Sequence, residues 1–232
     1  MSDLQSQYVD LSVADGSTMR AWFSRPANGQ SRAGLLVFQE AFGVNAHIRD
    51  VTDRFARQGY AAIAPELYHR AAPGFQGDYA DTAPAITLAR QLKVEELEND
   101  VRATHAFLRE RAGEKIVSTG YCMGGRVSFL ANVTVPLRAA ASYYGGGLPE
   151  AVSRAAQCSA PMLFFWGAQD KHITAEHRRQ VAEGMHASPH PSVQVVFSDA
   201  DHGFFCDVRP SYNPKAAKLA WDLTLSYFEQ YM

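Results

Sequence analysis

The stretch Gly120-Tyr121-Cys122-Met123-Gly124-Gly125 stands between an apolar run at 116–121 and a segment of helical composition at 124–133. Its form is glycine, any residue, nucleophile, any residue, glycine: the sharp strand-to-helix turn that raises one side chain above a parallel sheet. The nucleophile is a cysteine where a serine is usual. The glycines are a matter of crowding, because side chains two residues to either side of such a strained turn would strike neighbouring backbone. A cysteine there also faces the N–H groups and the positive end of the following helix, which favour a thiolate. With 17 glycines and three cysteines in 232 residues, about 0.016 such matches are expected by chance, before any strand or helix is required. The competing reading is a structural cysteine buried beside a tight turn.

Outward from the elbow, apolar runs alternate with helical spacings along the chain. Residues 8–13 and 19–23 read as two short strands, with Asp15-Gly16 as the turn between them. The run at 34–38 reads as a strand covered on both faces. Helical spacing at 45–58, a strand at 60–64 and a long helix at 94–111 follow. Beyond the elbow, strands are predicted at 139–144, 162–166 and 193–197, and helices at 174–185 and 214–231. This alternation predicts a single α/β domain over 1–232, a mostly parallel sheet with helices on both faces. Ligands of such sheets sit beyond the carboxyl ends of the strands.

Composition narrows the function classes. The hydrophobic fraction is 47% and the charged fraction 20%, ordinary values for a globular chain. Acidic and basic residues number 24 and 22, and the basic ones are scattered, so no nucleic-acid partner is expected. The start, MSDLQSQYVDLSVADG, lacks the pattern of a signal peptide, and the apolar runs are too short to span a membrane. Cys122, Cys158 and Cys206 form no CxxC pair, which predicts a reducing, cytoplasmic setting.

Two further strand ends belong with the elbow. Trp166-Gly167-Ala168-Gln169-Asp170 carries an acid that, taken alone, would suit a helix cap. Ser198-Asp199-Ala200-Asp201-His202-Gly203-Phe204 carries a histidine that, taken alone, would be a bystander. Together they give the order Cys122, Asp170, His202, the chain order of α/β-hydrolases. The loop Phe38-Gln39-Glu40-Ala41-Phe42-Gly43-Val44-Asn45 follows the third strand, where this fold supplies the second oxyanion-hole N–H. His172 and His177 lie five apart and HITAEH is not HExxH, while Pro189 breaks any shared helix face of His186 and His190, so neither pair reads as a metal motif. Cys158 suits a small apolar filler. Cys206 suits a buried thiol or an oxidation partner for Cys122.

QEAFGVN at 39–45, GYCMGG at 120–125, WGAQD at 166–170 and DHGF at 201–204 resemble the dienelactone hydrolase family, in order over nearly the whole chain. The resemblance implies the α/β-hydrolase fold and a carboxymethylenebutenolidase-like hydrolase of small esters or lactones. Cys122 would be the nucleophile, His202 the general base and acid, and Asp170 the orienting carboxylate. The N–H groups of Met123 and Ala41 would form the oxyanion hole. Glu40 would be the family's extra carboxylate, which holds the resting thiol and takes its proton when substrate enters. No metal and no organic cofactor is implied, and the protein would be a monomer or homodimer. The family's type enzymes bind a substrate carboxylate with arginines, one of them shortly after the catalytic histidine. Here no arginine follows His202 before Arg209, and none precedes Arg90 in the segment from Asp78. A more apolar pocket is therefore expected, with Phe42, Tyr79, Tyr144 and Phe204 as candidate lining residues, although each also suits an ordinary core. The same residues also leave open an acyl or thioester transferase, and a sensor of ligands or oxidants that does no catalysis.

Overall fold

Leu4–Ser12 (β1) and Thr18–Pro26 (β2) pair antiparallel in the computed structural model, which describes residues 3–232. The register runs from Leu4 opposite Pro26 to Ser12 opposite Thr18. At the turn, Asp15 Oδ1 accepts from the Ser17 N–H at 3.0 Å and Gly16 takes a φ of 86°. Both strands start before the predicted stretches, and at the start of β1 the added Gln5, Ser6 and Gln7 are exposed and polar and leave no apolar signal.

The described residues form two compact units, divided between Val117 and Ser118. The first continues with Ala33–Phe38 (β3), Ala46–Arg57 (α1), Tyr60–Pro65 (β4), Ala83–Gln91 (α2) and Val94–Ala112 (α3). Every residue of β3 and β4 is buried, as continuous apolar runs require. β4 pairs parallel with β3 and antiparallel with β2. α1 begins where the Asn45 side chain accepts from the Ile48 N–H, and it buries Ile48, Val51 and Phe55 on one stripe. α2 was not predicted from the sequence. It buries only Ala85, so it carries no apolar stripe to read.

The second unit takes up the chain within Ile116–Tyr121 (β5) and follows with Met123–Thr134 (α4), Ala139–Tyr143 (β6) and Leu148–Ala151 (α5). Met162–Gly167 (β7), Ala175–Gly184 (α6), Ser192–Phe197 (β8) and Pro214–Tyr231 (α7) complete it. β7 pairs parallel with both β6 and β8. The predicted strand at 139–144 ends one residue early, because Tyr144 turns into the left-handed region with a φ of 39°. The strand order is β1-β2-β4-β3-β5-β6-β7-β8, the mostly parallel sheet that the alternation of strands and helices predicts. Among the described residues no helix is long and apolar enough to cross a membrane.

The first unit is braced by a buried charge. Asp100, on α3, is fully buried and accepts from both terminal nitrogens of Arg70 at 2.8 and 3.0 Å, with His69 Nε2 at 3.1 Å. A buried carboxylate is tolerable only with such partners. Removing one member strands the others. Asp100→Ala is expected to cost about 3–5 kcal/mol of unfolding free energy, read as a lower urea midpoint at unchanged slope. A midpoint equal to that of the parent protein would show that the cluster braces nothing.

Candidate active site

Cys122 sits at the junction of β5 and α4 with φ 54° and ψ −121°. For a residue with a Cβ this conformation is strained and needs surroundings that over-determine it. Those surroundings are visible. The Cys122 N–H donates to the Tyr143 carbonyl at 3.0 Å, and its carbonyl accepts from Gly125 at 2.9 Å and Gly146 at 3.3 Å. A Cβ on Gly120 would land on the Gly124 carbonyl oxygen. One on Gly125 would lie 2.5 Å from Ser142 Oγ and 2.7 Å from the Gly145 Cα. The second glycine of the doublet is thus the one pressed against β6 and the loop beyond it. The Cys122 side chain is partly exposed, and the Met123 N–H lies in the first turn of α4.

The acid and the histidine are registered by backbone. A Cβ on Gly167, at the end of β7, would fall against the Ala200 carbonyl, and the Gln169 N–H donates to that same carbonyl at 3.0 Å. Asp170 and His202 therefore come from loops that pack main chain to main chain. Asp170 Oδ1 accepts from the N–H groups of His172 at 2.7 Å and Ile173 at 3.0 Å, and Oδ2 lies 2.7 Å from His202 Nδ1. The His202 N–H donates to Asp201 Oδ1 at 2.6 Å, which fixes the loop on its other side.

The charges follow from this geometry. Burial would raise the Asp170 pKa, but the bond and charge of His202 and the two N–H donors outweigh it and hold the carboxyl below its ordinary value. Burial likewise opposes a charged His202. It is overcome by the negative charge of the Cys122 sulfur, then by hydrogen bonds to Asp170 and Cys122, and the imidazole is pushed up to about 10. With Nδ1 committed to Asp170, Nε2 is the nitrogen left for the sulfur. The arrangement holds the imidazole between the carboxylate of Asp170 and the sulfur of Cys122.

Tyr144 and Phe204, read from the sequence as pocket lining, are completely buried. The Tyr144 ring meets His202 edge-on at 5.1 Å and Phe204 lies 5.2 Å behind Tyr144, so they form a wall that backs the imidazole. The His172 ring, 5.5 Å from His202, is a neighbour that no motif announced. Arg209, the first arginine after His202, packs its guanidinium against Gly203.

In the first unit, the 39–45 loop is pinned by side chains. Gln39 accepts from the Leu67 N–H at 3.1 Å and donates to the Glu40 carbonyl at 3.3 Å. The Tyr68 hydroxyl donates to the Ala41 carbonyl at 2.9 Å. Gly43, with φ 78°, leaves no room for a Cβ beside the Phe75 carbonyl. Glu40 is fully buried, and Oε2 accepts from the Tyr79 hydroxyl at 3.0 Å. Tyr79 in turn accepts from Asn45 Nδ2 at 2.9 Å and lies 4.4 Å from the Phe42 ring. The structure thus brings Cys122, Asp170 and His202 together in one unit, and Glu40, Phe42 and Tyr79 in the other. The sequence reading missed the parts played by Gln39, Tyr68 and Asn45, whose partners lie 28, 27 and 34 positions away.

Residues 19–232 match the dienelactone hydrolase family. The chain belongs to that family. A Synechocystis protein provisionally named a carboxymethylenebutenolidase is 35% identical over 210 residues, 84% of this chain and 85% of the other. The carboxymethylenebutenolidase of Pseudomonas putida is 31% identical over 224 residues, 94% of each chain. A Klebsiella pneumoniae structure ascribed to a dienelactone hydrolase superposes with a TM-score of 0.90 at 30% identity, over 99% of this chain and 100% of that one. As a member of the dienelactone hydrolase family, the chain is a hydrolase acting on esters.

The His202 environment sets a titration. Below a pH of about 10 the imidazole keeps its proton, and above it the proton is lost. Cys122→Ala removes both contributions of the sulfur, so the midpoint is expected to fall toward the ordinary 6.5. Histidine NMR across that range reads it directly. A midpoint that stays near the native one would show that Asp170 alone holds the proton.

Proposed function

We propose that this family member hydrolyses small carboxylic esters and lactones through an acyl-enzyme on Cys122. The observation that carries the reading is His202, bound at Nδ1 by Asp170 and hydrogen-bonded to the Cys122 sulfur. The thiolate attacks the ester carbonyl carbon, a C–S bond forms, and the carbonyl electron pair moves onto oxygen. The N–H groups of Met123 and Ala41 are the donors proposed for that oxyanion, where fixed dipoles are worth most. Collapse breaks the C–O bond, and the His202 imidazolium gives its proton to the departing oxygen. Neutral His202 then takes a proton from water as it attacks the thioester. The thiolate leaves with the C–S electron pair, and the acid is released. Asp170 stays ionised throughout and stabilises the imidazolium.

Glu40 is proposed as the control on this nucleophile. A carboxylate acting on the resting sulfur disfavours the thiolate, and substrate would relieve it. Phe42 and Tyr79 are the proposed substrate-facing residues of the first unit. Tyr144 and Phe204 shape the pocket through the wall behind His202. Substrate preference follows from sulfur chemistry. A thiolate leaves a tetrahedral intermediate far more readily than an alkoxide, so alkyl esters mostly collapse back to reactants. Aryl esters and enol lactones release stabilised anions and can go forward.

Cys122→Ala is expected to lower kcat by a factor of about 10⁴ to 10⁶, measured on an aryl ester, and retention of most activity would remove Cys122 from the mechanism. Across substrates, kcat/KM should rank aryl esters and neutral enol lactones above carboxylated dienelactones, and all of these above alkyl esters. A preference for alkyl esters would sink the leaving-group account. A strong preference for the carboxylated dienelactone would make Arg209 or Arg90 an anchoring residue. Glu40→Gln should speed alkylation of Cys122 in the absence of substrate. Slower alkylation would mean that Glu40 activates the thiol.

A further inference from the structure

We infer that Asn45 and Tyr79 form a directional hydrogen-bond relay that holds Glu40 as an accepting carboxylate, which makes Tyr79 a positioning residue for the control of the thiol. The inference deepens the reading of Glu40 proposed above and rests on it.

The direction of the relay is set by a helix cap. Asn45 is the N-cap of α1, and its Oδ1 accepts from the Ile48 N–H at 3.2 Å. Only an oxygen can do this, so the cap fixes which way the amide faces. Nδ2 is thereby turned to the Tyr79 hydroxyl at 2.9 Å, and it can only donate. With its oxygen accepting from Asn45, Tyr79 directs its single proton to Glu40 Oε2 at 3.0 Å. Oε2 must then accept. Reversing any one link would place two donors or two acceptors face to face, or would uncap α1. A local preference at the start of a helix is in this way passed through a phenol to Oε2 of a buried glutamate.

The ring of Tyr79 is held so that the relay keeps its geometry. Phe42 packs against it, and Ala41, Phe42 and Ala85 of α2 form the small apolar cluster on which it rests. The Gly77 N–H donates to the Phe42 carbonyl at 3.0 Å, which ties the chain just before Tyr79 to the 39–45 loop. The freedom left to Tyr79 is rotation of its O–H, and Asn45 removes that. A neutral phenol suits the task. It gives the carboxylate one charge-assisted hydrogen bond and adds no charge of its own.

The test uses the full-length protein and four substitutions. Tyr79→Phe deletes the donor. Asn45→Asp keeps an oxygen for the cap but presents a second oxygen to Tyr79, so the phenol proton turns away from Glu40. Asn45→Ser keeps a capping oxygen and removes the Tyr79 contact without adding charge. Glu40→Gln removes the carboxylate. Alkylation of Cys122 by iodoacetamide, site-resolved by mass spectrometry, and the infrared carboxyl band that disappears in Glu40→Gln are measured for each. Thermal unfolding reports whether α1 stays capped. Tyr79→Phe and both Asn45 variants should move the Glu40 band and change the alkylation rate in the direction of Glu40→Gln, by about ten- to a hundred-fold in Tyr79→Phe, the size of one hydrogen bond to a charged group, and by less in the Asn45 variants. None should add to Glu40→Gln in a double variant. If the band and the alkylation rate stay at parental values in Tyr79→Phe and Asn45→Ser while Glu40→Gln changes alkylation, the relay is wrong and the reading of Glu40 stands. If Glu40→Gln leaves alkylation unchanged, the reading of Glu40 fails. The infrared band then decides the relay alone: a shift in Tyr79→Phe sustains it and an unmoved band overturns it.

Discussion

The left-handed backbone of Cys122 is the constraint on which the second unit turns. Cys122 and Tyr144 are the non-glycine residues with positive φ among those described, and they stand at the ends of β5 and β6. Each such residue costs about 1–3 kcal/mol and persists only where its neighbours leave no alternative. Here the neighbours are glycines, whose missing Cβ atoms let Gly125 and Gly145 meet at backbone distance. The bond from the Cys122 N–H to the Tyr143 carbonyl places the two strained residues on either side of one interaction. Tyr143 is anchored in turn, its hydroxyl 3.0 Å from the Ala220 carbonyl and 2.6 Å from Thr224 Oγ1, both on α7. The last helix of the chain thereby supports the position of the nucleophile.

That support extends through aromatic rings. Tyr121 lies 4.7 Å from Tyr143 and stacks on Phe205 at 5.2 Å, and Phe165 lies 4.6 Å from Tyr143. Such pairs add about 0.5–1.5 kcal/mol each beyond their buried area. They also set a low-dielectric floor beneath a charged pair. In that setting the imidazole keeps its proton through the Cys122 sulfur and Asp170, and Asp170 stays ionised through His202 first and the two backbone N–H groups second. Geometry and charge in this unit are one problem: the turns that crowd the elbow and the β7 end also deliver the donors.

The parts of this design with a local signature were legible in the sequence. The elbow needs glycine at fixed offsets. β3, β4 and β7 read correctly because all of their residues are buried and apolar. The start of α7 matched because Asn213-Pro214 opens it with a cap and a proline. The parts without a local signature stayed hidden. α2 buries a single alanine, and α5 is only four residues long. Tyr144 and Phe204 looked like pocket lining because an aromatic after a strand suits that role as well as it suits a core. Nothing near Asn45 says that its amide meets a tyrosine in a distant loop, since a cap and a relay demand the same residue type.

The two units carry different kinds of chemistry. The proposed nucleophile, base and orienting acid all belong to 118–232, held by strained turns, buried rings and an ion pair that tolerate little change. Glu40, Tyr79 and Asn45 belong to 3–117, where the donor on Oε2 is a neutral hydroxyl set by a helix cap. A hydrogen bond from a neutral donor to a charged group is worth about 1.5–3 kcal/mol, which a few new contacts with a substrate can match. A site whose reactivity must respond to substrate needs one element that a modest binding energy can displace. In the reading proposed for Glu40 its carboxylate is that element, while the ion pair of His202 and Asp170 holds the imidazole in place.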